Sequence, residues 1–254
     1  MKKIIALLLV CISMVSLVAC LGNKDNGDDT DPAFFSMTEE QYNNVKTKSE
    51  GVMNYAEYIA AEVKSTVVVE AYVQATQSWW DNKITVYLAD LDGAYFAYEM
   101  TCSEADATKL TPGTKIKVTG TKTVWEGEVE FESGATFEFV GNENDKFIAP
   151  AFDATNLLGK DSLVKYQNRL VSYKGVTVKS VEYKNGEPGD DIWVTITKDN
   201  VDFALTVEVY LTGTDTDVYK AFANIKAGDK VNIEGFLYWY NGVDTHITKV
   251  SKVS

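Results

Sequence analysis

Side chains suited to nucleophilic or acid–base chemistry are scarce in this chain. One histidine, His246, is present among 254 residues. A nucleophilic triad needs Ser, Cys or Thr beside a base, with a third group to orient that base. His246 has no such company. With Asp244 and Thr248 on the same side of an alternating strand, it reads as a residue of an exposed strand face. Cys102 reads as a small core residue, as free thiols usually are. No zinc-ligand spacing and no phosphate-cradling loop occurs, so no metal and no cofactor is expected. Asp90-Leu91-Asp92-Gly93 has the opening of a calcium loop without its downstream ligands, and a hairpin turn explains it better. Glu126, Glu128, Glu130 and Glu132 alternate, which puts them on one side of a strand. That side is expected to be solvated and to discourage pairing with a further strand. The reading is a protein without catalytic activity. A carboxylate-based hydrolase is the enzymatic alternative, and it would need two carboxyls about 5–9.5 Å apart across a cleft.

Aromatic residues are the better candidates for ligand contact. Trp79-Trp80, Trp125 and Tyr238-Trp239-Tyr240 sit in or beside expected hairpin turns. Successive side chains of a strand alternate sides, so adjacent aromatics cannot all point inward. At least one of Trp79 and Trp80, and either Trp239 or its neighbours Tyr238 and Tyr240, is expected to face outward. Exposed rings of this kind stack on sugar rings, peptide groups or bases. These residues are the candidate ligand-binding set, with carbohydrate or protein as the ligand.

The elements that would position them follow from an internal repeat. Leu110-Thr-Pro-Gly113-Thr-Lys115-Ile116-Lys-Val118-Thr-Gly120 matches Ile225-Lys-Ala-Gly228-Asp-Lys230-Val231-Asn-Ile233-Glu-Gly235 without a gap. At the same spacing Val124-Trp125-Glu126-Gly127 falls on Trp239-Tyr240-Asn241-Gly242, and further upstream Val67–Val73 meets Val171–Thr177. A fixed period over so many positions marks a duplication. In the first copy, strands are expected over 66–75, 82–90, 94–100, 114–124 and 128–139, with a Ser103-capped helix over 103–109. The second copy repeats this at 169–182, 191–198, 202–209, 229–238 and 242–252, with a helix over 216–224 and a leading helix that Asp161 could cap. Helices are also expected at 38–49, from a Ser36/Glu39 capping box, and at 55–62 after Asn54.

Three strands, a helix and two strands is the order of the OB-fold, a five-stranded Greek-key barrel. Ala89-Asp-Leu-Asp-Gly-Ala-Tyr-Phe96 followed by Leu110–Gly120 resembles the extracellular OB-like domains of bacterial lipoproteins and of secreted nucleases and phosphatases. The fold class expected is therefore mainly β, with two tandem barrels at 63–148 and 149–254. In this fold the face of strands two and three and the loops joining strands one to two and four to five form the usual binding surface. Those loops would hold the aromatics named above.

The amino-terminal segment sets the location. Met1-Lys2-Lys3, an apolar run from Ile4 to Val18 and the tetrad Leu17-Val18-Ala19-Cys20 form a secretory signal too short to span a membrane. The tetrad resembles the lipobox of bacterial lipoproteins. That resemblance implies removal of residues 1–19 and acylation of Cys20, placing the protein in the cell envelope or at the cell surface with a membrane as partner. Residues 20–36 read as a polar tether and 37–62 as a helical lead-in.

Formal charge is −13, and loss of Lys2 and Lys3 would take it to −15. Neither barrel segment has the basic excess that phosphate neutralisation uses, so nucleic acid is set aside as a partner at this stage. The expectation is an exported binding or scaffold protein, with a nucleotide- or nucleic-acid-binding OB module as the alternative.

Overall fold

The computed structural model describes residues 38–141 and 145–253. The signal segment, Cys20, the tether and Ser36 lie outside the described residues. Two short helices lead in: α1 (Glu39–Lys46) and α2 (Tyr55–Ala60). Each begins with a capping box, Thr38 with Gln41 and Asn54 with Glu57, which satisfies amide donors that have no partner within the helix.

The first barrel contains β1 (Thr66–Thr76), β2 (Lys83–Ala89), β3 (Ala94–Thr101), α3 (Glu104–Ala107), β4 (Lys115–Trp125), β5 (Glu128–Phe131) and β6 (Thr136–Phe139). Its sheet runs β1-β2-β3-β5-β4, and β1 pairs back onto β4, closing the ring; β6 adds to the far end of β4. Ala97 lies opposite Phe131 in the parallel β3–β5 contact that completes the Greek key.

A two-residue strand, β7 (Phe152–Asp153), precedes the second barrel. That barrel has β8 (Leu170–Tyr183), β9 (Ile192–Lys198), β10 (Val201–Val207), α4 (Val209–Thr212), α5 (Asp217–Ala221), β11 (Lys230–Phe236) and β12 (Asp244–Lys252). Here the ring is β8-β9-β10-β12-β11, closed by β8–β11 and with β10 parallel to β12. The tandem OB-like architecture expected from the repeat is thus what the chain forms, with the helices between strands three and four. Asp161 begins a 3₁₀ segment, Asp161–Tyr166, but makes no side-chain cap.

Alternation decides which side chains fill each barrel. Val67, Val69, Ile84, Val86, Leu88, Tyr95, Ile116, Val118 and Phe131 meet inside the first. Their counterparts inside the second include Val171, Tyr173, Ile192, Val194, Ile196, Leu205, Val231, Ile233 and Ile247. Cys102 packs in the first core, and burial pushes its thiol up to about 11. Gly235 falls where the β11–β12 register shifts; a Cβ there would lie 2.4 Å from the His246 carbonyl oxygen.

Lysines strap the lead-in onto the first barrel. Lys122, itself buried, donates to the carbonyls of Ile59 (2.6 Å) and Ala61 (2.7 Å) at the end of α2. Lys48 pairs with Asp90 at 2.6 Å, and the Ser49 amide donates to Glu70. These contacts place the lead-in helices as part of the first folded body.

Candidate binding face

The hairpins of strands two and three can be laid on each other, although β2–β3 has a register shift between Ile84 and Val86 that β9–β10 lacks. In the first, Tyr87 pairs with Phe96 on the outer side of β2–β3. The corresponding outer pair of β9–β10 is Thr195 with Ala204. Large rings stand at this place in one barrel, and a hydroxyl and a methyl in the other.

That difference decides which face is free. Tyr87 and Phe96 are covered by Phe236, Tyr238 and His246 of the second barrel. The Tyr87 ring stacks on Phe236 at 4.4 Å, and Tyr238 stacks on His246 at 4.6 Å. Burying an aromatic side chain of this size is worth about 1.5–3 kcal/mol, so the contact is a docking interface. The β2–β3 face of the first barrel, the usual ligand surface of the fold, is sealed by the second.

His246 therefore does not lie on an exposed face as expected. It is buried against Tyr87, whose hydroxyl oxygen lies 2.6 Å from Nδ1. Gln77 Nε2 also donates to that oxygen (3.3 Å). Burial holds the His246 pKa down at about 4, which favours the neutral imidazole.

The glutamate stripe departs from expectation for the same reason. Glu126 and Glu132 are exposed, but Glu128 and Glu130 are buried. Glu128 accepts from Asn168 Nδ2 (2.6 Å) and from the Trp239 amide (2.8 Å), both in the second body. Burial raises its pKa well above the carboxylate range. Burial also raises Glu130, to about 7, with the charge of Glu132 adding to the effect. Nor is β5 an edge, since β3 and β4 flank it. Strand alternation put these glutamates on the outer side correctly; what covers that side is a second folded body.

The candidate aromatics divide. Trp80, Trp125 and Tyr240 are exposed. Trp79 packs on the first core, its indole N–H donating to the Cys102 carbonyl at 2.9 Å. Tyr238 joins the docking interface, and Trp239 packs on the second core. The two strand-four-to-five turns touch: the Asn241 amide donates to the Glu126 carbonyl (2.7 Å), and a Cβ on Gly127 would lie 2.8 Å from Trp239 Cδ1. Trp125 and Tyr240 flank this contact.

The open face of β9–β10 carries a residue absent from the candidate set. Trp193 lies between buried Ile192 and Val194, and it is 48% exposed. It pairs with Thr206, followed along the hairpin by Thr195–Ala204 and Thr197–Asp202. Thr206 donates to Asp244 (2.8 Å) and Thr197 to Asp202 (2.7 Å), while Lys179 pairs with Asp202. The face is hydroxyl-rich and small at its centre, with an indole at one end. Laying the second hairpin on the first would have singled out Trp193, since the outer positions of β2–β3 and β9–β10 correspond.

No family model matches the chain, and no curated relative is found. Among solved structures, it is similar to the p204 HINb domain, with 12% identity and a TM-score of 0.35, covering 76% of this chain and 100% of that one. It is also similar to the Ifi202 HINa domain in complex with a 20-base-pair DNA duplex (13%, TM-score 0.34, covering 74% of this chain and 100% of that one). A murine DNA-binding protein solved with double-stranded DNA has 13% identity and a TM-score of 0.37, covering 74% and 96%. At such scores the fold rests on its own strand pairings. These structures do correct one expectation. Net charge was read as setting nucleic acid aside; that exclusion is withdrawn, the Ifi202 HINa domain and the murine protein having been solved with DNA. The charge of a whole chain does not decide what one face binds.

Proposed function

We propose that this chain is an exported, lipid-anchored binding protein without catalytic activity, and that its working ligand face is the β9–β10 side of the second barrel. One observation carries the reading: of two equivalent OB faces, one is sealed by docking and the other is open around Trp193. The anchor rests on the Leu17-Val18-Ala19-Cys20 tetrad behind a short apolar segment. Metabolic labelling with an acyl-chain analogue, lost in Cys20→Ala, tests it.

The ligand put forward is single-stranded nucleic acid held by stacking. OB faces take oligonucleotides and oligosaccharides, and one base on an aromatic ring contributes about 1–3 kcal/mol. The nearby lysines Lys179 and Lys198 are already paired with Asp202 and Asp199. Stacking must then supply the affinity, and raising salt should leave it within about twofold, unlike binding through phosphates. Asp202 and Asp244 favour a second reading, an oligosaccharide whose hydroxyls would donate to these carboxylates. Fluorescence anisotropy with labelled oligothymidylate and a labelled oligosaccharide separates the two. Trp193→Ala should weaken whichever binds by about tenfold; unchanged affinity in that variant would refute the choice of face.

A further inference from the structure

The turn that rests the second barrel on the first is also a place where the chain can change its own covalent structure. Two Asn-Gly pairs lie among the described residues, Asn185-Gly186 and Asn241-Gly242. Glycine has no side chain to obstruct its amide nitrogen, so that nitrogen can attack the side-chain amide before it. The glycine nitrogen gives its proton to hydroxide and bonds to the asparagine Cγ. The Cγ–Nδ2 bond breaks, and ammonia leaves with a proton taken from water. A second water opens the resulting five-membered imide at either carbonyl, leaving aspartate or isoaspartate.

Both asparagines are exposed, so access to water does not separate them. Hydrogen bonding does. At the first pair the Gly186 amide donates to the Tyr183 carbonyl (2.8 Å), and Asn185 Nδ2 donates to Asp190 Oδ2 (2.8 Å). The attacking nitrogen and the leaving amide are both held. At the second pair, among the described residues, neither the Gly242 amide nor the Asn241 side chain has a hydrogen-bond partner. Other groups keep the turn in shape: the Tyr240 amide donates to the Gly242 carbonyl (2.9 Å), and the Asn241 amide to the Glu126 carbonyl (2.7 Å). Nor does the backbone require asparagine there. The equivalent turn of the first barrel is Glu126-Gly127, with Glu126 at φ 49° and Asn241 at φ 54°.

We infer that Asn241 is a site of spontaneous deamidation and that Asn185 is held against it. Conversion puts a carboxylate into the contact between the barrels. Isoaspartate also lengthens the main chain by one carbon between residue 241 and Gly242. The protein thereby carries a covalent mark of its age in its docking turn, whatever its ligand face binds.

Incubation of the full chain in detergent at mildly alkaline pH, followed by tryptic peptide mapping, tests this. Cleavage after Lys184, Lys198, Lys230 and Lys249 puts the two pairs on different peptides, and each is read by the mass gain of amide-to-acid conversion. In the native protein Asn241 should convert at least about tenfold faster than Asn185, whose two hydrogen bonds must break before its ring can close. In concentrated urea those bonds are gone, and the two rates should converge. Asn241→Gln should abolish the mass gain in its peptide, because glutamine would have to close a larger ring, and Asn185→Gln should leave conversion of Asn241 unchanged. Equal native rates, faster conversion at Asn185, a difference that persists in urea, or a mass gain that survives Asn241→Gln would overturn the inference.

Discussion

Glu130 gives the docking interface a measurable pH signature. The carboxyl is buried on the outer side of the first barrel, and its charge acts on Tyr238 of the second. Burial raises its pKa from 4.5 to about 7. A carboxyl raised in the fold is at no disadvantage below pH 4.5, where it is protonated in both states. As pH climbs, the unfolded chain ionises first and the folded state loses ground until about pH 7. Two and a half pH units at about 1.36 kcal/mol each give a loss of about 3 kcal/mol by pH 8, as an upper figure. Glu130→Gln removes that ionisation while keeping the shape. Urea denaturation of residues 21–254 at pH 4.5, 6 and 8 should show the variant equal to the parent at pH 4.5 and more stable by up to about 3 kcal/mol at pH 8. A difference that does not change with pH, or a variant less stable at pH 8, would refute the burial of Glu130 as described.

His246 predicts the opposite limb. Its pKa is held down, from 6.5 to about 4, so the stability it contributes is complete above pH 6.5 and is lost as pH falls through about 4; His246→Phe should flatten that acid limb in the same denaturation series. Gly235→Ala should cost more than about 3 kcal/mol, because its Cβ would sit 2.4 Å from a backbone oxygen that cannot move away; thermal melts check this. Cys102, buried with its thiol raised to about 11, should react with a thiol reagent only as fast as the first barrel opens, and a rapid native-state reaction would contradict its placement.

Much of the architecture was legible in the residues. The Gly113–Gly120 and Gly228–Gly235 runs marked strand four in each copy, because a glycine turn into a strand and a glycine bend along it are backbone requirements visible in one sequence. Asn54 and Ser103 announced their helices by side-chain capping, which is equally local. The errors share one cause. His246, Glu128 and Glu130 were placed on the correct side of their strands, but alternation reports sides and is blind to what covers them. The cover is Tyr87 for the histidine and the Asn168 and Trp239 region for Glu128, residues far away along the chain. Adjacent aromatics drew attention to Trp79-Trp80 and Tyr238–Tyr240, and three of these five, Trp79, Tyr238 and Trp239, pack internally. Trp193, alone between Ile192 and Val194, has no adjacent aromatic residue to draw attention to it. Comparing the two hairpins position by position carries the missing signal, since Tyr87 and Phe96 are replaced by Thr195 and Ala204.

Hydroxyl-radical footprinting of the unliganded protein, read by mass spectrometry, tests most directly whether one face is sealed and its twin open. Trp193 should be modified rapidly, alongside Trp80 and Tyr240, while Tyr87, Phe96 and Phe236 stay protected until the protein unfolds. Modification of Tyr87 and Phe96 at the rate of Trp193 would show that the second barrel does not cover the first.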